Sequence, residues 1–218
     1  MSTRASLIDD TLLDPAARKQ QIDRLCHEAD ELGMASVCVN PVHVPHAVAL
    51  LSQSSTLVCT VIDFPFGASS PHSKAAQTRI AIEDGADEVD MVVNIGAVKD
   101  HDWEAVEADI NGVVTSAPEH TVKVILETGL LDDEEIRAAC KCAERAGAKY
   151  VKTSTGYLGE GATVHAVSIM NDAVGGRLGI KASGGIRTPQ QMDAMIQAGA
   201  TRIGASAGRK LLGRGDRA

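Results

Sequence analysis

The sequence is poor in aromatic residues, which make up only 2% of its 218 residues. Positive charge is also scarce, since 29 acidic residues against 21 basic ones give a formal net charge of -8. Nucleic acids bind proteins through basic residues and through stacking on aromatic rings, so both contributions are weak here. No apolar run approaches the roughly 20 residues that a transmembrane helix needs. These absences favour a small molecule as the partner, and neither nucleic acid nor a membrane.

Paired cysteine motifs are missing as well. The five cysteines are an odd number and include no C-x-x-C pair, which favours reduced thiols over a disulfide framework. Residues 1–8 contain no long apolar segment followed by a cleavage site, so no secretory signal peptide is expected. We therefore predict a cytoplasmic protein.

Short apolar segments alternate with longer segments of helical periodicity, and eight such units follow one another. This alternation is typical of parallel β-α units. Eight units in this length fit a (β/α)8 TIM barrel better than an open doubly wound sheet, which is the alternative. We predict one α/β domain over residues 1–218 with a short basic carboxyl-terminal tail. The predicted strands are 7–12, 36–40, 56–62, 88–94, 121–126, 150–153, 178–182 and 202–205.

Capping residues mark several predicted helix starts. Asp14 and Thr188 are each followed by proline, and Asp132 precedes three acidic residues. The dipeptide Gly-Ala recurs after three helices, as expected for glycine helix stops that lead into the next strand. The predicted helices are 16–32, 44–51, 73–84, 102–116, 133–146, 163–174, 188–198 and a short one from Ser206.

Two lysines lie near the ends of predicted strands. Lys152 is followed by small polar residues, and Lys181 lies one β-α unit later before a glycine pair. Burial and a second ammonium nearby each lower the pKa of an amine, which lets the amine attack a carbonyl and form an imine. A lysine that extends from a strand end into solvent is the alternative. The residues alone leave open which lysine is the nucleophile.

A carboxylate, Asp90, lies inside the apolar run 88–96. A lone charge is costly to bury, so one interpretation is a salt bridge or a capped turn. The other interpretation is proton transfer. A carboxylate beside an ammonium can pass protons through a water to a carbon centre, as interconversion of an imine and an enamine requires.

Glycine-rich segments follow the last two predicted strands, at 183–189 and 203–208. Glycine lets backbone N–H groups approach a ligand closely, and helix amino termini favour negative charge. In barrels the loops after strands seven and eight frequently bind phosphate, so the segments predict an anion site. Ordinary turn glycines are the alternative. No metal-ligand spacing and no dinucleotide or P-loop fingerprint is present.

These motifs together resemble those of the deoxyribose-phosphate aldolases, a class I aldolase family. The resemblance runs from Ile8 to about Gly208 and rests on residues 8–13, 37–41, 64–67, 88–96, 151–156 and 181–188. It implies a barrel that reversibly cleaves 2-deoxy-D-ribose 5-phosphate into acetaldehyde and D-glyceraldehyde 3-phosphate in deoxyribonucleotide catabolism. It implies no metal and no organic cofactor. It also implies a homodimer, because relatives are often dimers.

The resemblance assigns roles to individual residues. Lys152 is expected to form the Schiff base, Lys181 to lower the pKa of that amine and join the relay, and Asp90 to move a proton with the help of a water. The residues expected near the substrate are Asp9, Thr11, Cys38 and Thr155. Those expected around the phosphate are Gly156, Gly184, Gly185, Gly204 and Ser206.

The sequence departs from the common family pattern at four positions. Many relatives carry His in place of Asp10, Gly in place of Asp63, Glu in place of Gln77 and Ser in place of Ala207. Two other functions are also considered, the second of them because of the changes at Asp10, Gln77 and Ala207. One is another imine-forming aldolase or a sugar-phosphate isomerase on the same barrel, and the other is a non-catalytic phosphosugar-binding protein.

Overall fold

The computed structural model describes residues 4–215 and shows a closed barrel of eight parallel strands. Each strand pairs with the next one along the chain, and β8 pairs with β1. The predicted (β/α)8 barrel is confirmed, because an open sheet would leave these two strands unpaired. Residues 1–3 and the last three residues of the predicted basic tail lie outside the described part. The strands are β1 Ile8–Leu12, β2 Ser36–Val39, β3 Leu57–Ile62, β4 Glu88–Val92, β5 Thr121–Ile125, β6 Tyr150–Lys152, β7 Gly179–Ser183 and β8 Arg202–Ala205.

Helices surround the barrel. They are α1 Lys19–Leu32, α2 Val44–Leu51, α3 Pro71–Glu83, α4 Ile95–Lys99, α5 Trp103–Ser116, α6 Asp133–Arg145, α7 Val164–Val174, α8 Pro189–Gln197 and α9 Gly208–Leu211, with 3-10 turns at Ala5–Leu7, Pro41–His43 and Thr128–Leu130. The predicted starts at Asp132 and Thr188 are confirmed, because both side chains accept a hydrogen bond from the backbone three residues on. None of the described helices is long and apolar enough to cross a membrane.

Two sequence signals were misread. Asp14 does not cap α1, which begins at Lys19, and instead accepts a hydrogen bond from Ala16 N at 2.8 Å in a local turn. Strand β4 ends at Val92, before its predicted end at Asn94, because Asn94 caps the unpredicted helix α4 by accepting from Ala97 N. Asp and Asn stabilise turns as readily as helix starts, so the sequence leaves both choices open.

The pleat of the strands separates an apolar layer from a charged one. In β4, Val89 and Met91 belong to the apolar core between the strands and the helices. Glu88 and Asp90 alternate with them and form ion pairs with residues of other strands. In β4 the side chains that face the barrel interior are therefore charged, and those that face the helices are hydrophobic.

Candidate active site

Asp90 lies at the centre of a buried cluster of charged side chains. Its Oδ2 accepts hydrogen bonds from Lys152 Nζ at 2.8 Å and from Lys181 Nζ at 2.7 Å. Its Oδ1 accepts a hydrogen bond from Lys123 Nζ at 2.8 Å. Asp90, Lys123 and Lys181 are fully buried, and Lys152 is 3% exposed. The three residues predicted to be catalytic are thus in direct contact, and a third lysine joins them.

Strand register explains this convergence. Lys152 on β6 is the register partner of Lys181 on β7, and Asp90 on β4 is the register partner of Lys123 on β5. Register partners on parallel strands point to the same face of a sheet. The four side chains therefore share the interior of the barrel, although they are far apart in the chain.

Lys123 is a site residue that the sequence prediction missed. Besides Asp90 it binds Glu88, with Nζ at 2.6 Å from Oε2, and its Nζ donates to Cys59 Sγ at 3.4 Å. The signal was present, because Lys123 is a charged residue inside an apolar strand, as Asp90 is. Its role in holding Asp90 became apparent only with the register.

The charges of the cluster fix its protonation. Burial opposes ionisation of Asp90, but Lys123, Lys152 and Lys181 outweigh burial and lower the pKa of its carboxyl well below the ordinary value. Burial likewise opposes charge on Lys181, but Asp9 and Asp90 raise the pKa of its ammonium. Asp90 is therefore a carboxylate and Lys181 an ammonium at neutral pH.

Asp9 belongs to this network and is fully buried. Its Oδ2 forms an ion pair with Lys181 Nζ at 2.5 Å, and its Oδ1 accepts from Arg202 at 2.6 Å. Arg202 also pairs with Glu88 at 3.3 Å. The structure thus places Asp9, predicted to contact substrate, against Lys181. Arg202 is a further member that the sequence prediction missed.

A cavity of about 350 Å³ opens beside Lys152. Most of the residues predicted to contact substrate or phosphate line it, namely Thr11, Thr155, Gly156, Gly184, Gly185, Gly204 and Ser206. Asp9, Cys38, Asp90 and Lys181 do not line it, and all four are fully buried. Among the lysines of the described cluster, only Lys152 reaches the cavity. It is therefore the amine that a ligand in the cavity meets.

The glycine loops also line the cavity. Gly184 and Gly185 have φ values of 93° and 79°, in the left-handed region where other residues are strained. No atom lies within 4 Å of the point where a Cβ of Gly185 would be, so its backbone is open to a ligand. Arg187 follows and also lines the cavity, although the prediction had not included it. Exposed backbone and a guanidinium at a helix start suit an anion.

Gly204 has a different local role. A Cβ on Gly204 would lie 2.9 Å from Lys181 Cε and 2.9 Å from Ser183 Cβ. Both distances are closer than real contacts, so glycine at this position leaves room for the Lys181 side chain. Gly204 lines the cavity and at the same time permits the packing of the charged cluster.

The unusual residues Asp63 and Gln77 contact each other. Asp63 has a φ of 52°, a left-handed conformation that favours glycine and that Asp tolerates better than most residues. Its backbone N–H donates to Gln77 Oε1 at 2.9 Å, and its carboxylate accepts from Ser69 N at 2.7 Å. The Gln77 side chain therefore holds the backbone of Asp63, while the Asp63 carboxylate holds Ser69.

Asp10 and Ala207 form a second pair of departures. Asp10 is buried, and its Oδ1 accepts a hydrogen bond from Gly208 N at 3.2 Å, next to Ala207. Ala207 precedes α9 and has no side-chain oxygen to cap it. Asp10 therefore supplies an acceptor at a helix start where Ala207 offers none.

The buried position of Asp10 predicts a pH effect on stability. Burial raises the pKa of its carboxyl from 3.8 to about 7. Between these values the native state binds more protons than the unfolded state, so the contribution of Asp10 to stability falls as pH rises and is lost above pH 7. Asn cannot ionise. We expect Asp10→Asn to raise the free energy of unfolding at pH 8 by about 4 kcal/mol and to change it little at pH 4.

Urea unfolding at both pH values measures this effect in the two proteins. The variant isolates Asp10 from other titrating groups, because those are common to both chains. Equal differences between variant and parent at pH 4 and pH 8 would contradict the prediction.

The chain was compared with known proteins. A family model described as DeoC/LacD family aldolase matches residues 5–213. Deoxyribose-phosphate aldolase 1 of Cutibacterium acnes is 56% identical over 208 residues, which are 95% of this chain and 96% of that relative. Deoxyribose-phosphate aldolase 1 of Bacillus licheniformis is 57% identical over 94% of this chain and 92% of that relative.

Solved structures agree with these sequence relatives. The tetrameric deoxyribose phosphate aldolase from Aeropyrum pernix superposes with a TM-score of 0.91. It is 34% identical, and the match covers 96% of this chain and 89% of that one. The likeness therefore extends through the whole barrel.

Proposed function

The chain belongs to the DeoC/LacD aldolase family, and we infer that it cleaves deoxyribose phosphate as a class I aldolase, a carbon-carbon lyase. The substrate is 2-deoxy-D-ribose 5-phosphate, and the products are acetaldehyde and D-glyceraldehyde 3-phosphate. The observation that carries the proposal is the position of Lys152, whose Nζ contacts Asp90 at 2.8 Å while the residue lines the cavity. A buried amine that opens into a ligand-sized cavity can form an imine with an aldehyde.

The reaction begins at Lys152. Its free amine attacks carbon 1 of the open-chain sugar, and water leaves to give an iminium. The hydroxyl on carbon 3 then loses its proton and the bond between carbons 2 and 3 breaks. The bonding electrons move into the iminium, which becomes an enamine, and D-glyceraldehyde 3-phosphate leaves. Protonation of carbon 2 and hydrolysis of the resulting iminium release acetaldehyde and restore the amine.

Asp90 is the proposed proton handler for these steps, through a water. Its carboxylate is ionised and lies 2.8 Å from Lys152 Nζ, so it can accept a proton next to the imine. Lys123 holds the other oxygen of the carboxylate and is a positioning residue. Lys181, bound to the same oxygen as Lys152, is the proposed proton donor to the relay.

The phosphate is proposed to bind at the glycine loops. Gly185 presents exposed backbone there, and Arg187 adds a positive charge to an otherwise acidic protein. Local attraction of this kind is needed, because the net charge of -8 repels an anion. Lys152 and the loops line the same cavity, so the imine carbon and the phosphate of one sugar can occupy it together.

A retro-aldol assay tests the proposed function. The purified chain is mixed with 2-deoxy-D-ribose 5-phosphate, and both products are measured, each by its own coupled dehydrogenase. An isomerase would give a new sugar phosphate without acetaldehyde. A non-catalytic binding protein would give heat of binding in a calorimeter and no product. Either result would overturn the proposal.

Replacing Lys181 tests its role in the proton relay separately from the nucleophilic attack by Lys152. We expect Lys181→Leu to lower kcat by about 100-fold and to leave measurable turnover, because the relay loses a member while Lys152 remains. Lys149→Leu is a matched control, since Lys149 is an exposed lysine that directly precedes β6. Equal and mild losses in both variants would contradict a role for Lys181 in catalysis. Urea unfolding of each variant shows that the compared proteins are folded.

The assembly is a separate proposal. We propose a homodimer on the family resemblance, although the Aeropyrum pernix relative is a tetramer. Light scattering coupled to size-exclusion chromatography distinguishes the two states. The cytoplasmic location and the lack of a cofactor stay predictions.

A further inference from the structure

Glu127 is a buried acidic residue that the reaction described above does not use. It follows β5, is 1% exposed and has a φ of 58°, in the left-handed region that non-glycine residues rarely adopt. Among the described residues no lysine, arginine or histidine lies within ion-pair distance of it. Burying a carboxylate without a cation is costly. Glu127 nevertheless lies buried in contact with Thr155, a residue that lines the cavity.

The partner of Glu127 is Thr155, which lines the cavity three residues after Lys152. Thr155 Oγ1 donates a hydrogen bond to Glu127 Oε2. Thr155 N also donates to Glu127 Oε2, at 3.2 Å. Glu127 thus fixes both the backbone and the side chain of Thr155.

These contacts determine whether the Thr155 hydroxyl can donate a hydrogen bond to a ligand or only accept one. A hydroxyl has one donor and two acceptor positions. The donor position is taken by Glu127, because a carboxylate can only accept. One acceptor position is taken by Tyr157 N, which donates to Thr155 Oγ1 at 3.1 Å. The position that remains is an acceptor, so a ligand must donate a hydrogen bond to use it.

We propose that Glu127 is a positioning residue that makes Thr155 an obligate acceptor and so selects substrates with a hydroxyl on carbon 4. This inference rests on the proposed function. Carbon 4 lies between the reacting carbons and the phosphate, and Thr155 lines the same cavity as Lys152 and the glycine loops. The hydroxyl on carbon 3 loses its proton during cleavage, but the hydroxyl on carbon 4 keeps its proton. An acceptor can therefore hold it through every step.

The test is a comparison of two acceptor aldehydes in the synthetic direction, with acetaldehyde as donor. One is D-glyceraldehyde 3-phosphate, and the other is 3-oxopropyl phosphate, which lacks the hydroxyl that becomes the carbon 4 hydroxyl. We expect the parent enzyme to prefer the hydroxylated aldehyde by about 10-fold or more in kcat/KM, because the site loses a hydrogen-bonded partner with the other one. Glu127→Met should reduce this preference by at least about 3-fold, mostly through the hydroxylated aldehyde.

Three further variants sharpen the test. Glu127→Gln keeps an acceptor oxygen and should retain most of the preference. Thr155→Val keeps the shape of the side chain and should lose the preference, and adding Glu127→Met to it should cause no further change in the ratio. Glu160→Met is the matched control, because Glu160 is an exposed glutamate in the same loop as Thr155.

The outcomes are distinct. Equal losses on both aldehydes in Glu127→Met would show a purely structural role and overturn the inference. If Glu127→Met does not fold, Thr155→Val decides. The inference is overturned if this folded variant keeps the full preference for the hydroxylated aldehyde. Failure of the parent enzyme to convert either aldehyde would overturn the proposed function itself.

Discussion

Lys152→Leu is expected to abolish turnover, with kcat lowered by at least about 10,000-fold, because no other amine can replace the nucleophile. Lys123 and Lys181 lie close by, but both are fully buried and neither lines the cavity. Leucine has a similar volume and no nitrogen, so the cavity keeps its shape while the chemistry is lost. The coupled retro-aldol assay measures the loss, and Lys149→Leu serves as the folded control with a lysine removed from the surface.

Chemical trapping identifies the amine directly. Acetaldehyde and borohydride should add about 28 Da to the parent protein, the mass of an imine reduced to an ethylamine, on the peptide that contains Lys152. Lys149→Leu should be trapped in the same way, and Lys152→Leu should not. An adduct on Lys181 or Lys123 would refute the assignment of the nucleophile.

Asp90→Asn should have the second largest effect, on both stability and activity. The Nζ groups of three buried lysines depend on this carboxylate, and an amide would turn an N–H group toward at least one of them. Breaking a buried ion pair by removing one partner costs about 3–5 kcal/mol, so the free energy of unfolding should fall by that amount. The turnover number should fall by about 1,000-fold, because the proton handler and the position of Lys152 are both lost.

The pH dependence of this effect follows from the pKa of Asp90. Its pKa is lowered in the folded state, so its stabilising contribution is present above the unfolded value of 3.8 and is lost only as pH falls through the lower folded value. The stability difference between Asp90→Asn and its parent should therefore be constant from pH 8 to pH 5 in urea unfolding. Asp172→Asn, a change of an exposed aspartate on α7, is the matched control. A difference that disappears by pH 6 would contradict the assigned charge state.

Local patterns were sufficient to predict the barrel. The alternation of apolar strands and helices is recorded in short segments of sequence, and the glycine stops at Gly85, Gly147 and Gly199 all adopt the positive φ that such stops need. The direction in which the strand side chains point was left open by the sequence, although the charged Asp90 inside an apolar run was a usable signal. The same reasoning applied to Lys123 would have found it.

The remaining parts of the site depend on contacts between distant segments. Arg202 reaches Asp9 from the other end of the chain, and the hydrogen bond from Thr155 to Glu127 joins two different β-α loops. Cys38 was placed near the substrate by resemblance, but it is fully buried and not part of the cavity lining. Such relations are set by strand register and loop conformation, which no short segment encodes.

The contact of Asp63 with Gln77, and that of Asp10 with the start of α9 beside Ala207, have a consequence for engineering. Loops are often exchanged between homologous enzymes to transfer a substrate preference. A graft of the loop with Asp63 into a recipient that lacks an acceptor side chain at position 77 would leave the backbone N–H of Asp63 without its partner. Likewise, Ala207 transferred without Asp10 would leave the start of α9 without an acceptor. A functional chimera of this enzyme therefore has to inherit both members of each pair.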